Sequence, residues 1–218
     1  YAQPAPRSRA EWEARAEWVR RRILLAGNLW PWPDRTPLRE RVFGKTDLGG
    51  CALEKVCFES RPGFLVTGNL FRPAQRKGRC PAALCPHGHW PQGRLTPESA
   101  DKGSVLARCL SLARLGFVVF VYDMIGYADS CQLPHRWEKD ALRRRLLRGI
   151  GPFSLQLWNS IRAADFVCGL PDVDANRLGS TGASGGATQA YYHAAIDDRV
   201  KVVVPVCMMS SHFQGGCQ

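Results

Sequence analysis

From residue 51 onward, short apolar runs alternate along the chain with segments whose apolar positions recur three and four residues apart. Residues 53–59 and 64–71 are rich in β-branched and aromatic side chains and flank Arg61-Pro62-Gly63, a turn signal, so they predict a hairpin. Residues 81–86 predict a short buried strand. Residues 104–115 predict a helix that Gly116 ends, and residues 117–122 form a fully apolar strand. After a Gly- and Pro-punctuated excursion over 123–152, a helix is predicted at 155–170, a strand at 177–181, a helix at 186–195 and a last strand at Val200–Val206. Six strands alternating with helices imply a mostly parallel sheet wound on both faces, an α/β architecture.

The first fifty residues have a different texture. Residues 1–6 are rich in Pro and Ala, and Ser8 followed by Glu11 makes a capping-box pair. Trp12, Ala16, Val19 and Ile23 then recur at helical spacing up to Gly27, forming one apolar stripe. Docking of this basic helix onto its own domain is expected in preference to a membrane surface. Trp30-Pro31-Trp32-Pro33 opens an extended, loop-like stretch to about Gly50. Residues 1–50 therefore read as a helical arm with an extended Trp/Pro segment, and residues 51–218 as the domain proper.

Composition narrows the function classes. With 45% hydrophobic and 22% charged residues among 218, the chain has the make-up of a globular domain, not of a disordered one. Its longest apolar runs, 117–122 and 202–209, fall far short of the roughly 18–20 residues of a membrane span. The net charge of +11 is concentrated in residues 7–22, 72–79 and 136–148. These runs lack the aromatic interleaving of a base-stacking platform and read as solvated faces, with Arg143, Arg144, Arg145 and Arg148 on one such helix face. No nucleic-acid partner is expected. The nine cysteines show no C-x-x-C pair, so neither a zinc site nor a redox motif is indicated, and Cys85, Cys168 and Cys207 read as small core residues. The chain begins at Tyr1 and offers no leader to inspect, which leaves the compartment open.

Chemistry concentrates in Arg177-Leu178-Gly179-Ser180-Thr181-Gly182-Ala183-Ser184-Gly185-Gly186. Here G-x-S-x-G, centred on Ser184, sits between a predicted strand and a predicted helix. A serine on so sharp a turn needs small residues two positions to either side, and the turn aims the helix N-terminus at the reacting centre. The Gly185 amide could then stabilise a developing oxyanion. The same stretch also spells G-x-x-G-x-x-G at Gly179, Gly182 and Gly185. A dinucleotide loop normally opens the first βα unit and is followed by an acid at the end of the next strand; here the next strand ends Val204-Pro205-Val206-Cys207. Pro86-His87-Gly88-His89-Trp90 directly follows the strand counted third, where an α/β-hydrolase places its second oxyanion donor, here the His89 amide. His87 could also tie that loop down by hydrogen bonds. His87 and His89 lack a third ligand nearby, so no metal is expected.

The segments PGFLVTGNLFRP (62–73), CPHGHW (85–90), VYDMIGYADS (121–130), LPDVDANRLGSTGASGG (170–186) and VPVCMMSSHFQGGC (204–217) resemble the acetyl xylan esterase-like branch of the α/β-hydrolases, related to dienelactone hydrolase and prolyl-oligopeptidase-type domains. The resemblance implies a cofactor-free serine esterase acting on a small-molecule or carbohydrate ester. Ser184 would be the nucleophile, and His89 and Gly185 the oxyanion donors. It also implies export, since many relatives are exported bacterial proteins. Alternatives left open are a peptidase, a nicotinamide-dependent reductase and a non-catalytic binding module.

The family fold has about eight strands, with an acid after the seventh and a histidine after the eighth. After Ser184 this chain offers only His193, Asp197, Asp198 and His212. His193 lies on the helix leaving the serine, the two aspartates precede the last strand, and only His212 falls on the catalytic side. The chain is therefore expected to be an incomplete α/β-hydrolase, lacking the last strands and helices, with its acid and base beyond residue 218. On its own it is expected to be nearly inactive. An uncovered Val200–Val206 is expected to favour oligomers. Asp123 reads as a structural carboxylate; Tyr122, Tyr127 and Trp137 read as packing residues or pocket walls; Met208 and Met209 read as an apolar strand end.

Overall fold

The computed structural model describes residues 4–97 and 104–208. In chain order the elements are α1 (Arg9–Ala26), β1 (Arg41–Asp47), β2 (Cys51–Arg61), β3 (Phe64–Pro73), β4 (Cys80–Leu84), α2 (Val105–Arg114), β5 (Val118–Tyr122), α3 (Lys139–Leu146), α4 (Pro152–Cys168), β6 (Val173–Ala183), α5 (Gly185–Ile196) and β7 (Val200–Val206). The seven strands form one sheet in the order β1-β2-β3-β5-β4-β6-β7. The first three strands pair antiparallel, and β3 meets β5 antiparallel. From β5 through β4 and β6 to β7 all pairing is parallel. The α/β-hydrolase class read from the sequence is the architecture observed.

Two sequence expectations need correction. The stretch leading to Gly50 is not all loop: β1 lies within it, and the 81–86 strand is consequently the fourth, not the third. All seven β1 residues are exposed, and a bulge at Gly44 (φ 64°) shifts the register between Phe43 and Thr46. An exposed, bulged edge carries no inside–outside alternation for a pattern to detect. The helix α1 does dock on the domain, through Leu24 and the half-buried Ile23, with Leu29 just beyond its end, so that only the last residue of the predicted stripe joins this contact. Trp12 remains 59% exposed and Val19 39%. Ser8 caps α1 by accepting from the Glu11 amide, while the Glu11 carboxylate reaches the Arg7 amide.

Two cores hold the sheet between helical layers. On one face, α4 contributes Ala163, Ala164, Phe166 and Val167 against Val56, Phe58, Leu70 and Phe120. The Phe58 and Phe166 rings stack at 5.6 Å, and Phe120 meets Phe166 edge-on at 5.2 Å. On the other face, Val105, Cys109 and Ala113 of α2 cover Phe71, Val119, Val121 and Cys85. Cys85 is fully buried as read from the sequence; Cys207 is exposed, because the strand ends at Val206 and the backbone turns at a positive φ of 58°. Beyond α2, the valines of β7 remain open: Val202 is 62% exposed and lines, with Val204, Leu112 and Phe117, an apolar trough of about 400 Å³.

The topology fixes where chemistry can occur. β4 lies between its parallel partners β5 and β6, so the crossovers β4–α2–β5 and β5–α4–β6 depart to opposite sides. Loops leaving β4 and β6 therefore diverge at their carboxyl ends and open a crevice there. The close approach of β3 to β5 is also demanding. A Cβ at Gly68 would stand 2.5 Å from the Val121 carbonyl oxygen and 2.6 Å from the Phe120 ring. Gly68→Ala is expected to lower stability by about 1–3 kcal/mol, read as a reduced urea midpoint at unchanged slope.

Candidate active site

The G-x-S-x-G segment forms a tight turn between β6 and α5. Ser184 has φ 55° and ψ −122°, a region that non-glycine residues seldom occupy. Two hydrogen bonds hold it there: the Ser184 amide donates to the Val206 carbonyl at 3.0 Å, and the Thr188 amide donates to the Ser184 carbonyl at 3.1 Å. The flanking glycines are required by contact. A Cβ at Gly182 would lie 2.5 Å from the Gly186 carbonyl group, and one at Gly186 would lie 2.3 Å from the Pro86 carbonyl oxygen. Gly179, by contrast, sits inside β6 paired with Ala83. The three glycines of the dinucleotide-like spacing thus do not share one loop.

The loop after β4 lies against this turn. A Cβ at Gly88 would be 2.8 Å from the Ala183 carbonyl oxygen, and one at Gly185 would be 2.3 Å from the His89 ring. Ser184, Gly185 and His89 are therefore brought together, with Gly185 opening α5. The first amides of a helix have no acceptor within it and carry its positive end. His193, nine residues along α5, is about 13 Å further down the helix axis. It is buried and paired with Asp197 at 3.0 Å, so it cannot serve Ser184. His212 and Met209 lie outside the described residues.

His87 is fully buried and does tie the loop down. Its Nδ1–H donates to the Gly88 carbonyl at 2.8 Å, and its Nε2 accepts from the Met124 amide at 3.0 Å. Both nitrogens are engaged only in the neutral ring, and burial pushes its pKa down to about 4. Asp123, at the end of β5, is a structural carboxylate as expected. It accepts from Thr67 Oγ1 at 2.7 Å and pairs with Arg94, whose other arm reaches Asp129 at 2.5 Å. Burial raises the Asp123 pKa to about 6, with the Arg94 charge opposing. Arg94 is a residue the sequence reading missed: it is 8% exposed and joins the turn after the His89 loop to the loop after β5. Nothing local marks a lone arginine as buried.

Around the crevice, the His89 ring stands 4.9 Å from His135 and 6.4 Å from Tyr127. His135 holds the Ile125 carbonyl through Nδ1 at 2.9 Å. Of the three aromatic residues considered for the pocket, only Tyr127 faces this cluster. Tyr122 is core, donating to Ser160 Oγ at 2.8 Å, and the Trp137 indole donates to the Pro134 carbonyl. Between α4, α5 and the His89 loop lies a cavity of about 10 Å³, walled by Met124, Phe153, Leu157, Thr188, His89 and Gly185. That is room for one water-sized group. Among the described residues no cluster of His, Cys, Asp and Glu could hold a metal ion.

The state of His87 sets a pH dependence. Its folded pKa lies below the ordinary value of 6.5, so the unfolded chain binds more protons between about pH 6.5 and 4, and stability falls as pH drops through that window. Asp123, raised toward 6, acts in the opposite sense, so a variant is needed to isolate the imidazole. His87→Asn is expected to destabilise the chain at pH 7.5. The change in unfolding free energy from pH 7.5 to pH 4.5, read from urea unfolding at each pH, should be less unfavourable in the variant than in wild type by about 2–3 kcal/mol.

Comparison with known proteins follows the same architecture. Residues 45–217 match the model of the acetyl xylan esterase (AXE1) family. A Bacillus subtilis (strain 168) protein named as a hydrolase, YtaP, is 29% identical over 202 residues, covering 91% of this chain and 66% of that protein. The structure of Methylesterase BT1017 superposes with a TM-score of 0.78 at 26% identity, covering 97% of this chain and 45% of that one. Acetyl xylan esterase 1 from Thermoanaerobacterium sp. JW/SL YS485 shares the fold, with a TM-score of 0.61 at 19% identity over 94% of this chain and 59% of that one. The chain thus spans less than two thirds of these relatives' lengths. With the strained serine turn, the wound sheet and this match over most of its length, the chain belongs to the acetyl xylan esterase family.

Proposed function

We propose that the protein is a carboxylic-ester hydrolase in which Ser184 is the nucleophile and the Gly185 and His89 amides receive the oxyanion. The observation that carries this reading is the strained Ser184 backbone at the β6–α5 junction. It is held against the His87–His89 loop by contacts that only glycines allow. Strain of this kind, worth about 1–3 kcal/mol, persists where the surroundings over-determine it. Ser184 Oγ would attack the ester carbonyl carbon, and the carbonyl oxygen would take up negative charge beside the two amides. Collapse of that intermediate expels the alcohol and leaves an acyl-serine, which water then hydrolyses to the acid. The cavity of about 10 Å³ beside Gly185 has no room for a long acyl chain, which favours an acetyl ester.

The attack needs a proton acceptor. His87 has both nitrogens committed, and His193 is bound to Asp197 at the far end of α5. We place the accepting histidine and its acid outside the described residues; this chain's shares of 66% and 45% of two relatives leave room for both. The 218 residues alone are then expected to hydrolyse 4-nitrophenyl acetate weakly. Loss of the base costs on the order of 10⁶ in turnover, while oxyanion donors and binding retain roughly 10³–10⁴ over water. His212→Ala and Ser184→Ala should each leave that residual rate nearly unchanged, because without a base the serine adds little to the oxyanion donors and binding. Triad-level turnover that disappears in both variants would place the base at His212 instead.

A further inference from the structure

We propose that the outer groove of α1 is a subsite for the carboxylate-bearing sugars of an acidic polysaccharide; the proposal rests on the ester-hydrolase reading above. The groove, about 310 Å³, is walled by Trp18, Arg22, Phe153 and Tyr192. Its aromatic walls suit the apolar face of a sugar ring, and Phe153 meets Tyr192 edge-on at 5.1 Å. Phe153 also walls the small cavity beside His89 and Gly185, so groove and site share a side chain. It further lines a crevice of about 480 Å³ between the end of α1 and α3, where Asn28 donates to the Gly149 carbonyl at 2.8 Å.

Charge selects an anionic sugar over a neutral one. Arg22 lies over the Trp18 ring at 4.6 Å, Arg21 over Trp30 at 5.5 Å, and Arg145 of α3 over Trp137 at 4.5 Å. Of the three, Arg22 walls the groove itself, and a guanidinium held over a ring keeps N–H donors for carboxylate recognition. Among the described residues, no carboxylate lies within ion-pair distance of any of these three arginines; the ion pairs nearby are Arg20–Asp198 and Arg143–Asp140. The basic runs expected to be plain solvated faces are thus partly organised on tryptophans. The α3 run is also anchored beside the site: the segment before it brings His135 to His89, and the one after it brings Phe153 to the cavity. No residue of α3 is buried, so core packing does not account for its position.

The test is affinity electrophoresis of the 218-residue chain through gels containing oligogalacturonate, neutral xylo-oligosaccharide or no sugar, with sedimentation against vesicles of mixed phosphatidylserine and phosphatidylcholine. Retardation by oligogalacturonate is expected, weakening as NaCl rises and about fivefold weaker in Arg22→Gln and in Trp18→Ala. Arg22→Lys, which keeps the charge and loses the fork, should recover only part of the binding. Circular dichroism of each variant should match the wild type. Equal retardation by the neutral sugar, or binding indifferent to both substitutions, would overturn the subsite. So would vesicle binding lost in the same variants without oligogalacturonate binding, which would make the groove a membrane contact. Residual turnover of 4-nitrophenyl acetate by the wild-type chain is measured in parallel; its absence would count against the ester-hydrolase reading and leave the binding result standing.

Discussion

Two stretches of backbone, the turn from β6 into α5 and the loop leaving β4, approach each other more closely than side chains would permit. Gly182 and Gly186 face the Pro86 carbonyl, Gly88 faces the Ala183 carbonyl, and Gly185 faces the His89 ring, each at a distance that a Cβ could not occupy without displacing its neighbour. Everything proposed for the site depends on this contact. It brings the turn at Ser184 against the loop that carries His89, and it keeps the serine in a conformation that the isolated turn would abandon. Parallel pairing of β4 with β6 is what brings the two ends into register.

Polar groups then fix the loop that glycine alone would leave supple. His87 spans its own loop and the start of the next, and Arg94 joins the following turn to Asp123 and Asp129. His87, Arg94 and Asp123 are almost entirely withdrawn from water, where an unmatched charge is costly and a matched one is demanding about geometry. The arrangement therefore resists small displacements more than apolar packing would. Such resistance suits a site whose amides must be in place before charge develops.

Much of this was legible in the residues, for identifiable reasons. The β2–β3 hairpin, α2 with its stop at Gly116, α4 and the β6–α5 elbow all couple a strong local pattern to the correct tertiary role. The serine turn was legible because its glycines answer to backbone contact. β1 was missed because its pairing is an edge event with no buried face. Arg94 and the outward-facing tryptophans of the α1 region were missed for a common reason: sequence spacing gives periodicity, but not which side of an amphipathic element finds a partner. On α1 the contact with α4 and α5 is made by Ile23, Leu24 and Leu29 at its end, while Trp12 and Val19 of the predicted stripe face water.

The sheet's mixed pairing has a consequence for the order in which the molecule comes together. β2 and β3 are joined by a tight turn, and such hairpins close in about 1–10 microseconds. The β4–β6 pair must instead bring Cys80 alongside Val173, closing a loop that contains α2, β5, α3 and α4, and pairings between distant positions form slowly. The Ser184 turn has only its local bond from the Thr188 amide until that closure is made and β7 has supplied the Val206 carbonyl. The strained serine turn is therefore a late acquisition of the folding chain. A nascent polypeptide would carry its hairpin and early helices well before Ser184 reached its final backbone conformation.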